Sequence, residues 1–238
     1  MNAENRRLLK FAVATALVVG WICAPAVRAV EPGQKQVPLG IVLPKALFVG
    51  TPKNIKAAPT LERYSEAARP PLMVPEGLKN LALNKKVTSS DEAPIIGELS
   101  MVTDGDKEGT DGSFVELAPG KQWVQIDLEK PADIYAVALW HFHAEGRVYH
   151  GMIVQVSDDP KFTEKITTIF NNDFANTCGL GVGKQLEYIE DNRGKVIDAR
   201  NATGQPVRGR YVRLYSNGNT SNDQNQYIEV EVYGKPVP

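Results

Sequence analysis

The stretch that decides the fold is residues 210–234, RYVRLYSNGNTSNDQNQYIEVEVYG. Apolar side chains alternate with other residues at both of its ends, as Val212 and Leu214 do in the first run and Ile228 and Val230 in the second. Alternation with a period of two is typical of half-buried antiparallel strands. The residues between the runs are Gly and short polar residues that cannot form a core. A polar loop carried on a rigid sheet indicates a binding surface, although it names no ligand.

The chain from Asn80 onward has the pattern of an all-β domain. Short runs rich in β-branched and aromatic residues are separated by Gly, Pro, Asn and Asp turns, and we find no amphipathic helix pattern of useful length. Besides the two C-terminal runs, strands are predicted at residues 87–90, 123–128, 134–143, 152–157, 166–170, 186–189 and 196–199. Short strands at even spacing predict an antiparallel β-sandwich or jelly roll.

The N-terminus has the pattern of a secretory signal peptide over residues 1–29. Basic residues precede an apolar run at residues 11–24, and the sequence AVRA supplies small residues for cleavage after Ala29. The apolar run is shorter than the ~20 residues that a transmembrane helix needs. We therefore expect a secreted or periplasmic bacterial protein with no transmembrane segment after cleavage. The alternative is an N-terminal anchor that is not cleaved.

The charge of the mature chain argues against polyanionic partners. The full chain has 27 Lys and Arg and 28 Asp and Glu residues; residues 1–29 hold four of the basic and one of the acidic residues, which leaves a net charge of −4. With no basic block to neutralise phosphates, we expect neither nucleic acid nor an anionic membrane surface as a partner. Only Cys178 remains after cleavage, so the fold must depend on a core or a metal and not on an internal disulfide.

Residues 30–78 differ from the rest of the chain in composition. They contain eight prolines, a density that excludes a long helix or a central strand. An apolar cluster within residues 39–49 is a candidate short edge strand, and the remainder predicts an extended arm or linker. The predicted organisation is thus a signal peptide, a Pro-rich arm at residues 30–78 and a β-sandwich domain at residues 79–235.

Five sequence landmarks resemble those of the discoidin domain, the C-type domain of coagulation factors five and eight, which has galactose-binding-like bacterial relatives. They are NLALNKKVTSS at residues 80–90, VTDGD at 102–106, WVQIDL at 123–128, IVQVSDDP at 153–160, and the C-terminal pair RYVRLYSNG and IEVEVYG. The resemblance covers about residues 79–235. It implies a jelly-roll sandwich that binds glycans, phospholipid headgroups or proteins through loops at one end. It also implies a structural calcium ion, which bacterial members often carry.

The sequence DGDKEGTDG at residues 104–112 is the candidate calcium loop. Calcium takes six to eight oxygen ligands, and glycines let a short acidic loop curl around the ion. Carried over from the family, the ligands implied are Asp104, Asp106, Thr110 and Glu229, the last on the final strand. The alternative from the residues alone is a solvated acidic turn.

The candidate ligand-binding residues lie in the turn after the predicted strand 134–143 and in the C-terminal polar loop. Galactose-binding relatives use a His, an Arg and an Asn beside an aromatic ring. The corresponding residues here are His143, Arg147, Tyr149, His150, Asn217 and Asn219. His141 and His143 point to one face of a strand, but without a carboxylate or Cys at fixed spacing they are a weak zinc motif. The alternative is a set of ordinary rim residues hydrogen-bonded to their neighbours.

Known catalytic motifs are not found in the chain. It has no GxSxG, HExxH or CxxCH sequence, and the glycines of GLGVGK at residues 179–184 do not have the spacing of a P-loop. We therefore predict a non-catalytic protein that binds a glycan or cell-surface polysaccharide through the loops of a calcium-stabilised sandwich. The alternative function is a structural or protein–protein interaction module of the cell surface.

Overall fold

The structure is a computed structural model that describes residues 34–237. The predicted signal peptide and the first residues of the arm lie outside the described residues. The strands are β1 (Gln36–Pro38), β2 (Met73–Pro75), β3 (Lys79–Asn80), β4 (Val87–Ser89), β5 (Val115–Leu117), β6 (Lys121–His141), β7 (Ile153–Ser157), β8 (Thr167–Asn171), β9 (Lys195–Asp198), β10 (Val207–Asn217) and β11 (Asn225–Pro236), with a 3₁₀ helix at Leu99–Thr103. Between residues 34 and 237 no helix is long and apolar enough to span a membrane.

The long strand β6 connects the two faces of the sandwich. Its first part pairs with β4 and β10, and its second part pairs with β9 and β11; the start of β10 also pairs with residues 132–134. Between the parts the backbone turns at Glu129, whose φ is 68°, and Pro131 follows, where the missing N–H is tolerated at an irregularity. All of these pairings are antiparallel, which confirms the predicted all-β sandwich. The predicted strands 123–128 and 134–143 are therefore two halves of one continuous strand.

The main core lies between the two halves of the sandwich and follows the alternation predicted from the sequence, except at Ile228. A register shift between Tyr227 and Glu229 places Ile228 in a second cluster, apart from Val230. Val124, Ile126, Leu139, Val154 and Leu214 are fully buried in it. Burial of such side chains is the dominant favourable contribution to folding, at about 1.5–3 kcal/mol each.

The outer face of β11 differs from the prediction because it is also buried. A half-buried strand leaves one side open to solvent, yet Glu229 is fully buried and Glu231 is 6% exposed. The physical reason is a second apolar cluster on this side of the sheet, centred on Trp140 and Ile228. The arm packs against that cluster, and Leu39 is among the arm residues that contact it.

The arm forms less regular structure than predicted. Residues 39–49 form no strand, because Pro44 interrupts the apolar run and the chain pairs earlier, where β1 joins β2. The predicted strand at residues 186–189 is reduced to one parallel bridge between Leu61 and Glu187. Its partner is the arm, in which Pro59 precedes the bridge and prevents a longer ladder.

Candidate functional site

The two loops predicted to bind ligand lie side by side at one end of the sandwich. The end of β6 pairs with the start of β11, where His141 lies opposite Tyr227. Because the polar loop leads from the end of β10 into the start of β11, the loops that follow β6 and β10 lie at the same end of the sandwich. An antiparallel bridge between Tyr149 and Asn219 joins them. The amide N–H of Thr220 donates to the Val148 carbonyl oxygen at 3.0 Å, so the loops share a backbone ladder. This rigid pairing fixes which side chains face inward.

Tyr149 faces the interior and is 2% exposed. Its hydroxyl donates to Gln226 Oε1 at 2.7 Å, and its ring stacks on His141 with centroids 4.2 Å apart. Burial holds the pKa of the phenol far above its usual range. The predicted aromatic platform for a sugar is therefore not provided by Tyr149, because the bridge to Asn219 turns its ring toward the core.

His143 is fully buried and holds a neighbouring loop in place. Its Nε2 donates to the Lys107 carbonyl oxygen at 2.9 Å. A side chain at Gly109 would overlap the imidazole ring, so this approach requires a glycine. His143 thus connects the candidate ligand loop to the candidate calcium loop and does not face solvent.

Arg147 lies along the surface of its own loop. Its guanidinium carbon is 4.6 Å from the centroid of the Phe142 ring, its Nη2 donates to Glu145 Oε2 at 3.1 Å, and its side chain is 12% exposed. A stacked arginine of this kind contributes packing as well as charge. The candidate ligand-binding residue Arg147 is therefore stacked and mostly buried and is not a freely exposed charge.

The two predicted asparagines stabilise the polar loop. Asn219 is 8% exposed; its Oδ1 accepts from the Ser221 amide at 2.8 Å, and its Nδ2 donates to the Gln224 carbonyl at 3.0 Å. Asn217 donates its backbone N–H to the His150 carbonyl oxygen at 2.8 Å. Side chains that satisfy local backbone groups in this way build a turn.

His150 has its imidazole open to solvent, with 44% of the side chain exposed. Its Nδ1 is 2.8 Å from Glu187 Oε1, a carboxylate that is 19% exposed. The pair lies in a cleft of about 310 Å³. The cleft is lined by Val148, His150, Glu187 and Thr220, and on the other side by Asn54, Ile55, Lys56, Ala58 and Leu61 of the arm. Sequence reasoning missed Glu187 and Thr220, because neither lies in a recognisable motif.

The candidate calcium loop faces a buried carboxylate. Glu229 Oε2 accepts from the Gly105 amide at 3.2 Å, while Glu229 Oε1 is buried and has no hydrogen-bond partner among residues 34–237. Burial, together with the charges of Glu231 and Asp104, raises the pKa of Glu229 to about 9. An unpartnered buried carboxylate oxygen beside an acidic turn is an arrangement that a cation would stabilise.

The other predicted calcium ligands are exposed and shape the loop itself. Asp104 Oδ1 accepts from the Asp106 amide at 2.8 Å, Asp106 Oδ1 accepts from the Glu108 amide at 2.8 Å, and Thr110 Oγ1 lies 3.2 Å from Ser113 Oγ. In the described part of the chain no group of three or more His, Cys, Asp or Glu side chains could hold a metal. An ion beside Glu229 would therefore take backbone carbonyl oxygens as well, which calcium accepts.

The chain matches no protein-family model and no curated protein sequence. Among solved structures it is similar to a family 89 glycoside hydrolase from Clostridium perfringens, with 18% identity and a TM-score of 0.47 over 66% of this chain and 15% of that chain. It is also similar to a fucolectin from striped bass serum, Morone saxatilis, with 18% identity and a TM-score of 0.47 over 68% of this chain and 50% of that one.

A third similar structure is a fucose-binding module of Streptococcus pneumoniae, with 17% identity and a TM-score of 0.44 over 66% of this chain and 98% of that chain. The chain thus spans 15% of the hydrolase chain and 50% of the fucolectin chain, which in both cases is less than two thirds of that chain's length. By their descriptions, one of these three structures is a hydrolase, one is a fucolectin and one is a fucose-binding module.

Proposed function

We propose that this chain is a non-catalytic carbohydrate-binding protein that recognises a glycan at the loop end of its sandwich. The observation that supports this most directly is the cleft at His150 and Glu187, where an exposed imidazole and a carboxylate lie 2.8 Å apart. A sugar hydroxyl both donates and accepts hydrogen bonds, so a paired donor and acceptor on a rigid wall suits it. Thr220 Oγ1 accepts from the Val148 amide at 3.1 Å, which leaves its own proton to donate.

The size of the cleft sets the expected affinity. At about 310 Å³ it lies at the lower end of the ~300–1,000 Å³ of small-molecule sites and suits a single sugar unit. A small open site offers few contacts against the cost of association. We expect dissociation constants on the order of micromolar to millimolar for one site.

We further propose that calcium binds beside Glu229 and stabilises the loop at residues 104–112. The buried Glu229 Oε1 supports this, because a cation is the partner that a buried carboxylate lacks here. Asp104, Asp106 and Thr110 lie on the same loop and are the side chains expected to complete the site with backbone carbonyls. A bound calcium ion would neutralise the buried charge.

Secretion remains part of the same proposal. It is supported by the sequence pattern of residues 1–29, in which basic residues, a short apolar run and a small-residue cleavage site follow one another. A secreted glycan-binding protein would meet cell-surface polysaccharide, which is the partner we propose.

The test is a printed glycan array with the mature chain, followed by titration of the best glycan against His150→Ala. We expect the variant to bind at least ~10-fold more weakly, which is about 1.4 kcal/mol, and to melt close to the parent because its side chain is half exposed. Lys184→Ala, an exposed change on a different loop, is the matched control. An array on which the parent binds nothing would contradict the proposed function and favour protein interaction instead.

A further inference from the structure

The Pro-rich arm crosses the loop end at which the glycan site is proposed. Pro52 packs directly on Gly146, where no side chain would fit. Farther along, Ile55 and Leu61 lie across the cleft from Val148. The arm therefore covers part of the surface that the loops of the sandwich would otherwise expose.

Hydrogen bonds hold this part of the arm in a fixed position. The Glu187 amide donates to the Thr60 carbonyl oxygen at 2.8 Å, and the Glu62 amide donates to the Glu187 carbonyl oxygen at 2.8 Å. Lys195 Nζ forms an ion pair with Glu62 Oε1 in which the lysine is 14% exposed. Glu187, whose side chain pairs with His150, is thus also the residue whose backbone holds the arm.

A second set of bonds fixes the arm on either side of this bridge. Asn192 Nδ2 donates to the Pro44 carbonyl oxygen at 2.9 Å, and Arg193 Nη1 donates to the Ala67 carbonyl oxygen at 2.9 Å. A segment with attachments before, at and after the cleft behaves as a wall and not as a loose tether, because each bond restricts its local opening.

We propose that the binding site is composite: the arm forms one wall, the loops of the sandwich form the other, and Lys56 selects a sugar that carries a carboxylate. This inference rests on the proposed carbohydrate-binding function and names its ligand class, a uronic acid. Lys56 lines the cleft and has no carboxylate partner in the described part of the chain.

The charges of the cleft support this selection. Among residues 34–237 the only carboxylate that lines it is Glu187, whose two oxygens already contact His150 Nδ1 at 2.8 Å and the Thr60 hydroxyl at 3.4 Å. Lys56 is exposed, so its charge is available to a ligand on the arm side. An ammonium group attracts a sugar carboxylate that a neutral hexose lacks, and this interaction is weak in water but selective.

The test uses the full mature chain and three matched pairs of sugars: glucuronic acid with glucose, galacturonic acid with galactose, and mannuronic acid with mannose. Amide chemical shifts followed by NMR give each affinity and show whether His150 and Thr220 respond. We expect the parent to prefer the uronic acid of at least one pair by about two- to fivefold, the range of an exposed ion pair.

Lys56→Ala should abolish that preference without changing the affinity for the neutral hexose of the same pair. Lys53→Ala is the matched control, because Lys53 is exposed on the same arm and does not line the cleft. The proposed selection by Lys56 of the arm is overturned if the preference survives in Lys56→Ala, or if the parent binds neutral hexoses as tightly as uronic acids. Either result leaves the proposed carbohydrate-binding function intact. If none of the six sugars binds while the array finds another glycan, the uronic acid assignment is overturned. If no glycan on the array binds either, the proposed carbohydrate-binding function is overturned together with the uronic acid assignment.

Discussion

At the scale of single residues, the structure separates the side chains that build the loop end from those that face its cleft. Tyr149, His143 and Asn219 are buried and hydrogen-bonded within the protein, whereas His150 is open to solvent. The sequence could place all four in loops at one end of the sheet. It could not assign the directions of Tyr149 and His143, because their partners are distant in the chain: Gln226 is 77 residues from Tyr149, and Lys107 is 36 residues from His143.

Glu229 is a second residue whose role depends on distant contacts. In the absence of a metal its pKa is raised to about 9 by burial, against ~4.3 for a free Glu side chain. A raised carboxyl pKa favours folding at low pH, and this contribution is lost as pH rises from ~4.3 through about 9. The sequence does not indicate that the pKa of Glu229 is raised, because the alternation along this strand does not show that Glu229 is buried.

The first prediction follows from this carboxylate. Calcium should raise the melting temperature of the mature chain at pH 8, since a ligand that binds only the folded state stabilises it by mass action, by about 2.7 kcal/mol at 100 times its dissociation constant. Glu229→Gln should remove that rise. In a chelator the same variant should melt at or above the parent, because a neutral amide replaces a carboxyl that must take up a proton on folding at this pH. Differential scanning calorimetry with calcium or EDTA measures both effects.

Asp104→Ala should reduce the calcium effect as well, without the gain in chelator. Asp111→Ala is the control on the same loop, because Asp111 is not among the predicted ligands. Identical melting curves of the parent in calcium and in EDTA would leave the loop as an acidic turn.

At the scale of elements, the alternation of apolar residues predicted the strands well but not their connections. The predicted strands 123–128 and 134–143 were separated by residues 129–133, in which Pro131 indicates a break. In the structure these residues form a bend within β6. Periodicity reports which side of a strand is buried. It does not report whether two strands on opposite sheets share one continuous backbone.

For the arm, composition predicted the local conformation but not the contacts that hold it on the domain. Its prolines correctly predicted an extended segment, since Pro lacks the N–H that a helix or central strand requires. Its docking depends on pairs such as Pro52 with Gly146 and Glu62 with Lys195, which composition does not reveal. The domain boundary at residue 79 therefore stays a prediction, and the arm is the element on which to test it.

The second prediction is that a chain beginning at Lys79 folds but is less stable than the mature chain. The main core contains no residue of the arm, so the sandwich should form alone. The second cluster around Trp140 would lose its cover from Leu39, Ile41 and Leu72. We expect the melting temperature to fall by about 5–10 °C, or about 2–3 kcal/mol for a chain of this size.

Near-ultraviolet circular dichroism and thermal unfolding of the two chains provide the measurement. A truncated chain without fixed aromatic signals would show that the arm belongs to the core. A truncated chain that melts with the parent would show that the contacts of the arm with the second cluster contribute little.

At the scale of the whole molecule, the two proposed sites are connected by short contacts. Lys107 lies on the candidate calcium loop, and its carbonyl oxygen accepts from His143 Nε2 at 2.9 Å. Its ammonium group pairs with Glu231 at 2.8 Å, two residues from Glu229 along β11. His143 in turn begins the loop that carries His150. A change in the order of the calcium loop therefore has a direct route to the cleft.

The third prediction is that calcium and sugar bind cooperatively. Calcium should tighten sugar binding by about fivefold, at the lower end of measured couplings, and sugar should tighten calcium binding by the same factor, because coupling free energies are reciprocal. Isothermal titration of each ligand with and without the other tests this equality. His143→Asn, which removes the hydrogen bond to Lys107, should bind both ligands but lose the coupling. Equal sugar affinities in calcium and in EDTA would make the calcium site purely structural, and coupling that persists in His143→Asn would require a route other than Lys107.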